Sequence, residues 1–364
     1  MFPRLVIDLN KLKGNLDAVA AITKEQGHCT LMIVTKGLCA DAEMVRLAVS
    51  HRSVDFLADS RVRNIAAYEK AAGQAGKQTV LLRLPMAGEI PSVIEHVDIS
   101  FNSELATLRL LNEEAGKQGK THKVVLMIDL GDLREGIFFQ QEEEIYGTVE
   151  EVLSMKHLEL FGLATNLTCY GAIIPKRDNL SVLARWADKI ETRFGITLRM
   201  VSGGNSSSVY LIGKGELPDR INNLRLGEAF LLGNDTAYGA KLPGTADDAL
   251  ILEAQIIELK EKPSLPIGEV GVDAFGQKPY YEDRGIIKRA IVAVGQQDTV
   301  PDSMYPLDPG IDILGASSDH TILDVTKSDQ AYKVGDVIRF KVGYGGMLRT
   351  ATSPYVEKVY VALP

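Results

Sequence analysis

Eight short runs rich in β-branched and apolar residues recur between residue 30 and about residue 232, with helical periodicity in the stretches between them. They are TLMIVTK (30–36), VDFLAD (54–59), QTVLLRLP (78–85), VDISFN (97–102), KVVLMIDL (123–130), LELFGLATN (158–166), LRMVSGG (198–204) and INNLRLG (221–227). The intervening segments include SRVRNIAAYEKAA (60–72), SELATLRLLNEEAGK (103–117) and LSVLARWADKIETRFG (180–195). Strands that alternate with helices form parallel sheets, and parallel strands, buried on both faces, read as near-continuous apolar runs. Eight such units over roughly 200 residues predict a (β/α)8 barrel, an α/β fold of the TIM type. The alternative is an open doubly wound sheet, but no Gly-x-Gly-x-x-Gly turn follows the first run.

The texture changes near residue 234. NDTAYGAKLPGTADD is a connector rich in Gly, Pro and Asp, and beyond it LILEAQIIELKE, IKRAIVAVGQQ, HTILDVT, DVIRFKV and YVEKVYVAL follow without intervening helices. This predicts a second, all-β domain, so that residues 1–233 form the barrel and 234–364 the β domain. A chain of 364 residues is in any case too long for one ordinary core.

Composition narrows the function classes. Hydrophobic residues make up 45% and charged residues 24%, no run is long enough to span a bilayer, and no cleavable N-terminal signal is seen, so a cytoplasmic protein is expected. Cys29, Cys39 and Cys169 form neither an even disulfide set nor a metal-finger spacing, and six scattered histidines give no His-x-x-x-His pair. No metal is expected. A net charge of −8 without a basic block argues against nucleic acid or an anionic membrane as the main partner and leaves a small-molecule substrate.

A barrel keeps its chemistry at the C-terminal ends of its strands. Lys36 ends the first run; there a lysine must be paired, reach solvent, or lose its proton and become a nucleophile. Arg134 follows the fifth run, Asn166 ends the sixth, Ser206 to Ser208 follow the seventh, and Arg225 lies in the eighth with Gly227 just beyond. SGGNSSS opens a helix after the seventh strand, where barrels commonly bind phosphate. An amine, a phosphate cradle and two guanidinium groups on one rim describe a pyridoxal phosphate site, with Lys36 supplying the amine that the cofactor's aldehyde requires.

VTKGLCAD at the first strand end, LRLGEAFLLG at the eighth and a trailing β domain resemble the fold-type III pyridoxal phosphate enzymes, the alanine racemase family. MIDLGDLREG, NLTCYGAIIPK, VSGGNSSSVYLI, KEKPSLPIGEVGVDAFGQKPYYEDRG, AVGQQDT and GASSDH resemble the branch of that family that acts on ornithine. The resemblance implies that Lys36 carries the cofactor and moves the substrate α-proton on one face. It sets Arg225 against the pyridine nitrogen; Asn205, Ser206, Gly227 and the Glu228 backbone amide in the phosphate cradle; and Tyr355, to within one residue of register, on the phosphate. Arg134 falls near the substrate carboxylate, and Asn166 stands where alanine racemases carry a histidine.

Other positions depart from the family. Ala40 and Gln296 replace tyrosines, and Gln296 stands where the catalytic one would be. Glutamine cannot act as a base, so the second proton carrier must come from elsewhere in the β domain. In that family the segment resembling GASSDH reaches the partner subunit's site, which makes Ser318, Asp319 and His320 the nearest candidates, His320 as the base and Ser318 and Asp319 against the substrate, with Tyr280 and Tyr281 in reserve. Glu269, Asp273 and Asp319 are the acids expected near the distal ammonium of a dibasic substrate. The implied protein is a homodimer with shared active sites that racemises ornithine or a similar dibasic amino acid. The rivals are a decarboxylase of basic amino acids, which in the family pairs the pyridine nitrogen with an acid, and a non-catalytic pyridoxal phosphate carrier, which in this superfamily is a bare barrel.

Overall fold

A computed structural model describes residues 1–361 of the chain. Eight parallel strands, Thr30–Val34, Val54–Asp59, Gln78–Leu81, Ile99–Asn102, His122–Asp129, Leu158–Ala164, Met200–Ser202 and Asn223–Leu226, pair in sequence order, and the eighth returns to pair with the first. The sheet is therefore a closed barrel, and each expected run contributes one strand. Met32, Val34, Phe56, Ala58, Phe101, Val125, Met127, Phe161 and Met200 meet in its interior. Residues two apart on a strand share a face. Met32 and Val34 thus point inward, and Arg225, in register with Met32, enters the same interior.

Several runs pair over less of their length than their composition predicts. The third pairs only over Gln78–Leu81. The first ends at Val34, and Lys36 opens a single 3-10 turn, Lys36–Leu38, after which Cys39 and Ala40 adopt left-handed backbone at φ 56° and 51°. Lys36 therefore sits two residues past the strand, on the turn that leaves it. At Gly162, in the sixth strand, a side chain has no space: a Cβ there would lie 2.0 Å from the Met200 carbonyl oxygen of the seventh strand.

The chain divides into two compact units, residues 12–246 and the remainder, so the division differs at both ends from the 233/234 boundary drawn on composition. The stretch read as a connector is ordered. Asp235 accepts from the N–H groups of Ala237, Tyr238 and Ala240, and Asn15 donates to the carbonyls of Phe230 and Ala246 while accepting from Ala246 N–H. The N-terminal strand Arg4–Asp8 belongs to the second unit, antiparallel to Leu250–Pro263 and parallel to Glu357–Val361.

In that second unit a sheet runs Met304–Pro306, Val337–Val342, Leu250–Pro263, Ile286–Val292, Thr321–Asp324, Asp312–Ala316, each antiparallel to the next. Alternate residues Leu250, Leu252, Ala254 and Ile256 are buried, the period of a half-buried strand. One helix, Tyr344–Thr352, interrupts what the sequence reading expected to be entirely β. Its YGGMLRTAT sequence carries two glycines and two threonines that weaken a helix, and packing holds it: a Cβ on Gly346 would stand 2.8 Å from the Ser303 carbonyl.

Candidate active site

The backbone leading to Lys36 is fastened before the lysine begins. Thr35 N–H donates to the Ala58 carbonyl at 2.8 Å and Thr35 Oγ1 to Asp59 Oδ2 at 2.6 Å, while Asp59 also accepts from Arg61 N–H and Asn64 Nδ2. Beyond the turn, Asp41 caps the helix Ala42–Ser50. Among the described residues the Lys36 amine has no hydrogen bond or ion pair. Its side chain reaches solvent at the barrel mouth, yet protein surrounds it closely enough that desolvation is the strongest influence on it. Desolvation lowers its pKa; Cys169 and Asp59 oppose that, and the cations Arg134 and Arg225 reinforce it. The net direction is downward, which makes the free amine more accessible than that of an ordinary lysine.

Arg225 is 5% exposed. Its Nη1 donates to Ser202 Oγ and its Nη2 to the Thr165 carbonyl, both at 2.7 Å, and its guanidinium carbon lies 5.3 Å from the centre of the Phe101 ring. Among the described residues no carboxylate pairs with it. Desolvation pulls its pKa down to about 10, so it remains a cation at neutral pH. Two of its five N–H donors are used on protein acceptors, and the others are available to a bound group.

Two loops carry the next residues, and one carboxylate joins them. Asp132, 1% exposed, accepts from the N–H groups of Thr168, Gly171 and Ile173 through Oδ1 and from Tyr170 N–H through Oδ2. That fixes the loop after the sixth strand against the loop after the fifth. Both loops hold non-glycine residues in left-handed backbone: Leu133 at φ 56°, Thr168 at 77° and Ala172 at 54°. Gly171 is required here, since a Cβ would come within 2.9 Å of the Asp132 carbonyl oxygen. Arg134 forks onto its neighbour Glu135, a pairing that raises its pKa further.

The SGGNSSS segment behaves as its composition predicts. Gly204 takes φ 114°, Asn205 Oδ1 accepts from Ser207 N–H, and the turn Ser206–Ser208 leads into a six-residue helix, Val209–Lys214. Ser206 Oγ accepts from Ala229 N–H, tying this loop to Gly227 and Glu228 after the eighth strand. Gly227 lies against the first strand, where a Cβ would be 3.3 Å from Val34 Cβ. Asn205 Nδ2 donates to Asn166 Oδ1, to the Leu167 carbonyl and to Cys169 Sγ. Lys36, Arg134, Asn166, Asn205, Ser206, Arg225, Gly227 and Glu228 thus share one end of the barrel. Three polar atoms at this rim, Ser207 Oγ, Asn166 Nδ2 and Thr165 Oγ1, are buried without a partner among the described residues.

The remaining candidates belong to the second unit. Gln296 N–H donates to the Ser317 carbonyl and its Nε2 to the Ala316 carbonyl, so the segment carrying Gln296 lies beside the turn holding Ser318, Asp319 and His320. His320 Nδ1 is 2.7 Å from Asp319 Oδ1, a contact that lowers the exposed Asp319 carboxyl's pKa. Asp273 spends its carboxylate on the N–H groups of Phe275 and Gln277 in its own turn. Tyr280, Tyr281 and Tyr355 are exposed. The sequence does not mark Asp132 or Cys169 as site residues: Cys169 has no disulfide or metal-ligand spacing, and the GDL and TCYG stretches carry no signal of their mutual contact.

Residues 7–235 match the alanine racemase N-terminal domain family. Ornithine racemase of Acetoanaerobium sticklandii is 51% identical over 358 residues, covering 98% of this chain and 99% of that protein. Lysine racemase of Thermotoga maritima is 38% identical over 363 residues, 99% of each chain. Among solved structures, alanine racemase from Streptomyces coelicolor superposes with a TM-score of 0.75 at 19% identity, over 98% of this chain and 97% of that one. The Bartonella henselae alanine racemase with covalently bound pyridoxal phosphate gives 0.72 at 16% identity, over 98% and 99%. At these identities the structural matches speak to the fold.

Proposed function

This chain belongs to the alanine racemase family, and we propose that it racemises ornithine, or a dibasic amino acid of similar length, with pyridoxal phosphate on Lys36. The observation that carries the reading is the unpartnered, pKa-lowered amine of Lys36 on the same barrel rim as a buried arginine with donors to spare. The dibasic substrate is supported by relatives named for ornithine and lysine.

The residues present fit the cofactor. Ser207 Oγ, Asn166 Nδ2 and Thr165 Oγ1 are orphaned polar atoms of the kind a phosphorylated aromatic aldehyde satisfies. In this reading the Asn205 to Ser208 turn, Gly227 and the Glu228 amide hold the phosphate, with Tyr355 as a further ligand, and Arg225 faces the pyridine nitrogen. Pyridoxal phosphate, when bound, supplies an electron sink that makes the substrate α-proton removable. Lys36 would hold the aldehyde and, once a free base, would take or return that proton. Arg225, charged at neutral pH, would meet the pyridine nitrogen with a cation rather than an acid and so would limit the sink, which suits reversible proton transfer better than decarboxylation. Arg134, held flat against Glu135, and Asn166 orient the substrate. Ser318, Asp319 and His320 would be the second unit's contribution, bordering the substrate across a homodimer. Three free thiols suit a reducing cytoplasm.

The test is spectroscopic and chemical. Protein incubated with pyridoxal phosphate should gain absorbance in the region of about 400–430 nm, and borohydride should fix the label on Lys36. A label on any other lysine removes the basis of the reading.

A further inference from the structure

We infer that Cys169 is the group that exchanges the substrate α-proton with Lys36, the proton carrier that Gln296 cannot be. The inference rests on the racemase reading above and names a residue of the barrel rim for the second proton transfer. Lys36 leaves the first strand and Cys169 sits in the loop after the sixth. In the closed sheet the order runs first, eighth, seventh, sixth, so the two loops approach the mouth from well-separated sides. The thiol is exposed and free. It nonetheless stands in a built environment: Asn205 Nδ2 is 3.3 Å from Sγ and Asn166 Oδ1 is 3.6 Å from it. Asn166 is only 8% exposed and its Nδ2 has no partner, so this amide touches the thiol with one atom and leaves the other open to a ligand.

Elimination points the same way. Among the titratable groups of this chain's barrel rim that act on Lys36, Arg134 and Arg225 cannot give up a proton at working pH, and Asp59 is buried with its carboxylate committed to Thr35, Arg61 and Asn64. Cys169 remains. The Asp132 contacts show why the loop is held in strained backbone: they fix the residue on either side of Cys169, Thr168 and Tyr170, by their N–H groups. The step balances without a co-reactant. One group arrives as free base and breaks the Cα–H bond, leaving the electron pair on carbon. The other arrives as conjugate acid and gives its S–H or N–H proton to the opposite side. After one turnover the pair has exchanged protonation states, and solvent resets it.

The experiment follows α-hydrogen exchange and racemisation separately, in deuterated buffer. With one of two carriers removed, the survivor still takes and returns a proton on its own side. Cys169→Ala should therefore keep exchange of the α-hydrogen in one enantiomer of ornithine while racemisation falls by about 10² to 10⁴-fold. Cys169→Ser, which preserves the size of the side chain and its amide contacts, should show the same split. A second readout needs no turnover: iodoacetamide should alkylate Cys169 in cofactor-free protein, as mapped by mass spectrometry, and pyridoxal phosphate fixed on Lys36 by borohydride should block it. Undiminished racemisation in Cys169→Ser, loss of exchange in both enantiomers, or the split appearing in His320→Ala instead would each overturn the assignment. If the parent racemises nothing, the racemase reading fails, and alkylation of Cys169 that is indifferent to occupation of Lys36 refutes this inference on its own.

Discussion

Replacing Asp132 by Asn tests whether one buried carboxylate organises the loop that carries Cys169. In the parent, Oδ1 accepts from Thr168, Gly171 and Ile173 N–H at 3.0, 3.1 and 3.4 Å, and Oδ2 from Tyr170 N–H at 3.1 Å. An asparagine keeps one oxygen and turns an NH2 toward a backbone donor, so at least one contact is lost outright and the others lose their charge. A hydrogen bond to a charged group contributes about 1.5–3 kcal/mol and a stranded N–H costs about 1–3 kcal/mol, and these overlap because the loop can relax. Relaxation is favoured, since Thr168 and Ala172 sit at φ 77° and 54° and such backbone costs about 1–3 kcal/mol per residue. We therefore expect local opening to become easier by about 2–4 kcal/mol, which accelerates exchange by about 30- to 1000-fold. Hydrogen exchange of the peptide spanning residues 167–174, read by mass spectrometry in both proteins, measures this directly. Asp129→Asn is the control, because Asp129 caps Gly131 and Leu133 in its own loop. An acceleration no greater than in that control would refute the reasoning.

Three further outcomes follow from packing and burial. His122 is buried and held down at about 4 from its usual 6.5, chiefly by desolvation, so the unfolded chain binds the extra proton between those values. The associated stability is full above pH 6.5 and is lost as pH falls toward 4, by about 3 kcal/mol; denaturant melts should show a flatter slope in His122→Gln, and equal slopes would contradict the argument. Gly162→Ala would set a methyl 2.0 Å from the Met200 carbonyl, so we expect a loss of at least about 3 kcal/mol or failure to fold, against which an unchanged melting temperature would count. Arg225→Met removes a buried, uncompensated cation, so stability should stay within about 2 kcal/mol of the parent while kcat/KM falls by at least about a hundredfold; a variant that keeps its activity would dismiss Arg225 from the site.

The barrel was legible because parallel strands buried on both faces leave long apolar runs, and each of the eight is a strand in the structure. What composition could not mark was where pairing stops: LRLP in the third run is as apolar as the strand before it, yet Arg83 turns its guanidinium to the Ser60 and Leu84 carbonyls and to Glu89. The strand RLVID at residues 4–8 is not legible because five residues carry too short an alternation, and its partners lie some 250 and 350 residues on. The helix Tyr344–Thr352 was hidden by two glycines and two threonines that tertiary packing overrides. The barrel rim was legible because strand ends announce themselves and Lys36, Ser206 and Arg225 lie at or just past them. Asp132 and Cys169 were not, since each acquires meaning only through a partner some 36 residues away on another loop.

The central claim is that this chain interconverts the enantiomers of a dibasic amino acid using Lys36. The direct measurement is chiral chromatography of L-ornithine, L-lysine and L-alanine, each incubated with the protein and pyridoxal phosphate, with Lys36→Ala run in parallel. The account predicts that L-ornithine or L-lysine proceeds to an equal mixture of enantiomers faster than L-alanine does, and that Lys36→Ala leaves all three unchanged. Racemisation that survives in Lys36→Ala, or a parent that leaves both dibasic amino acids as pure L enantiomers, would contradict it.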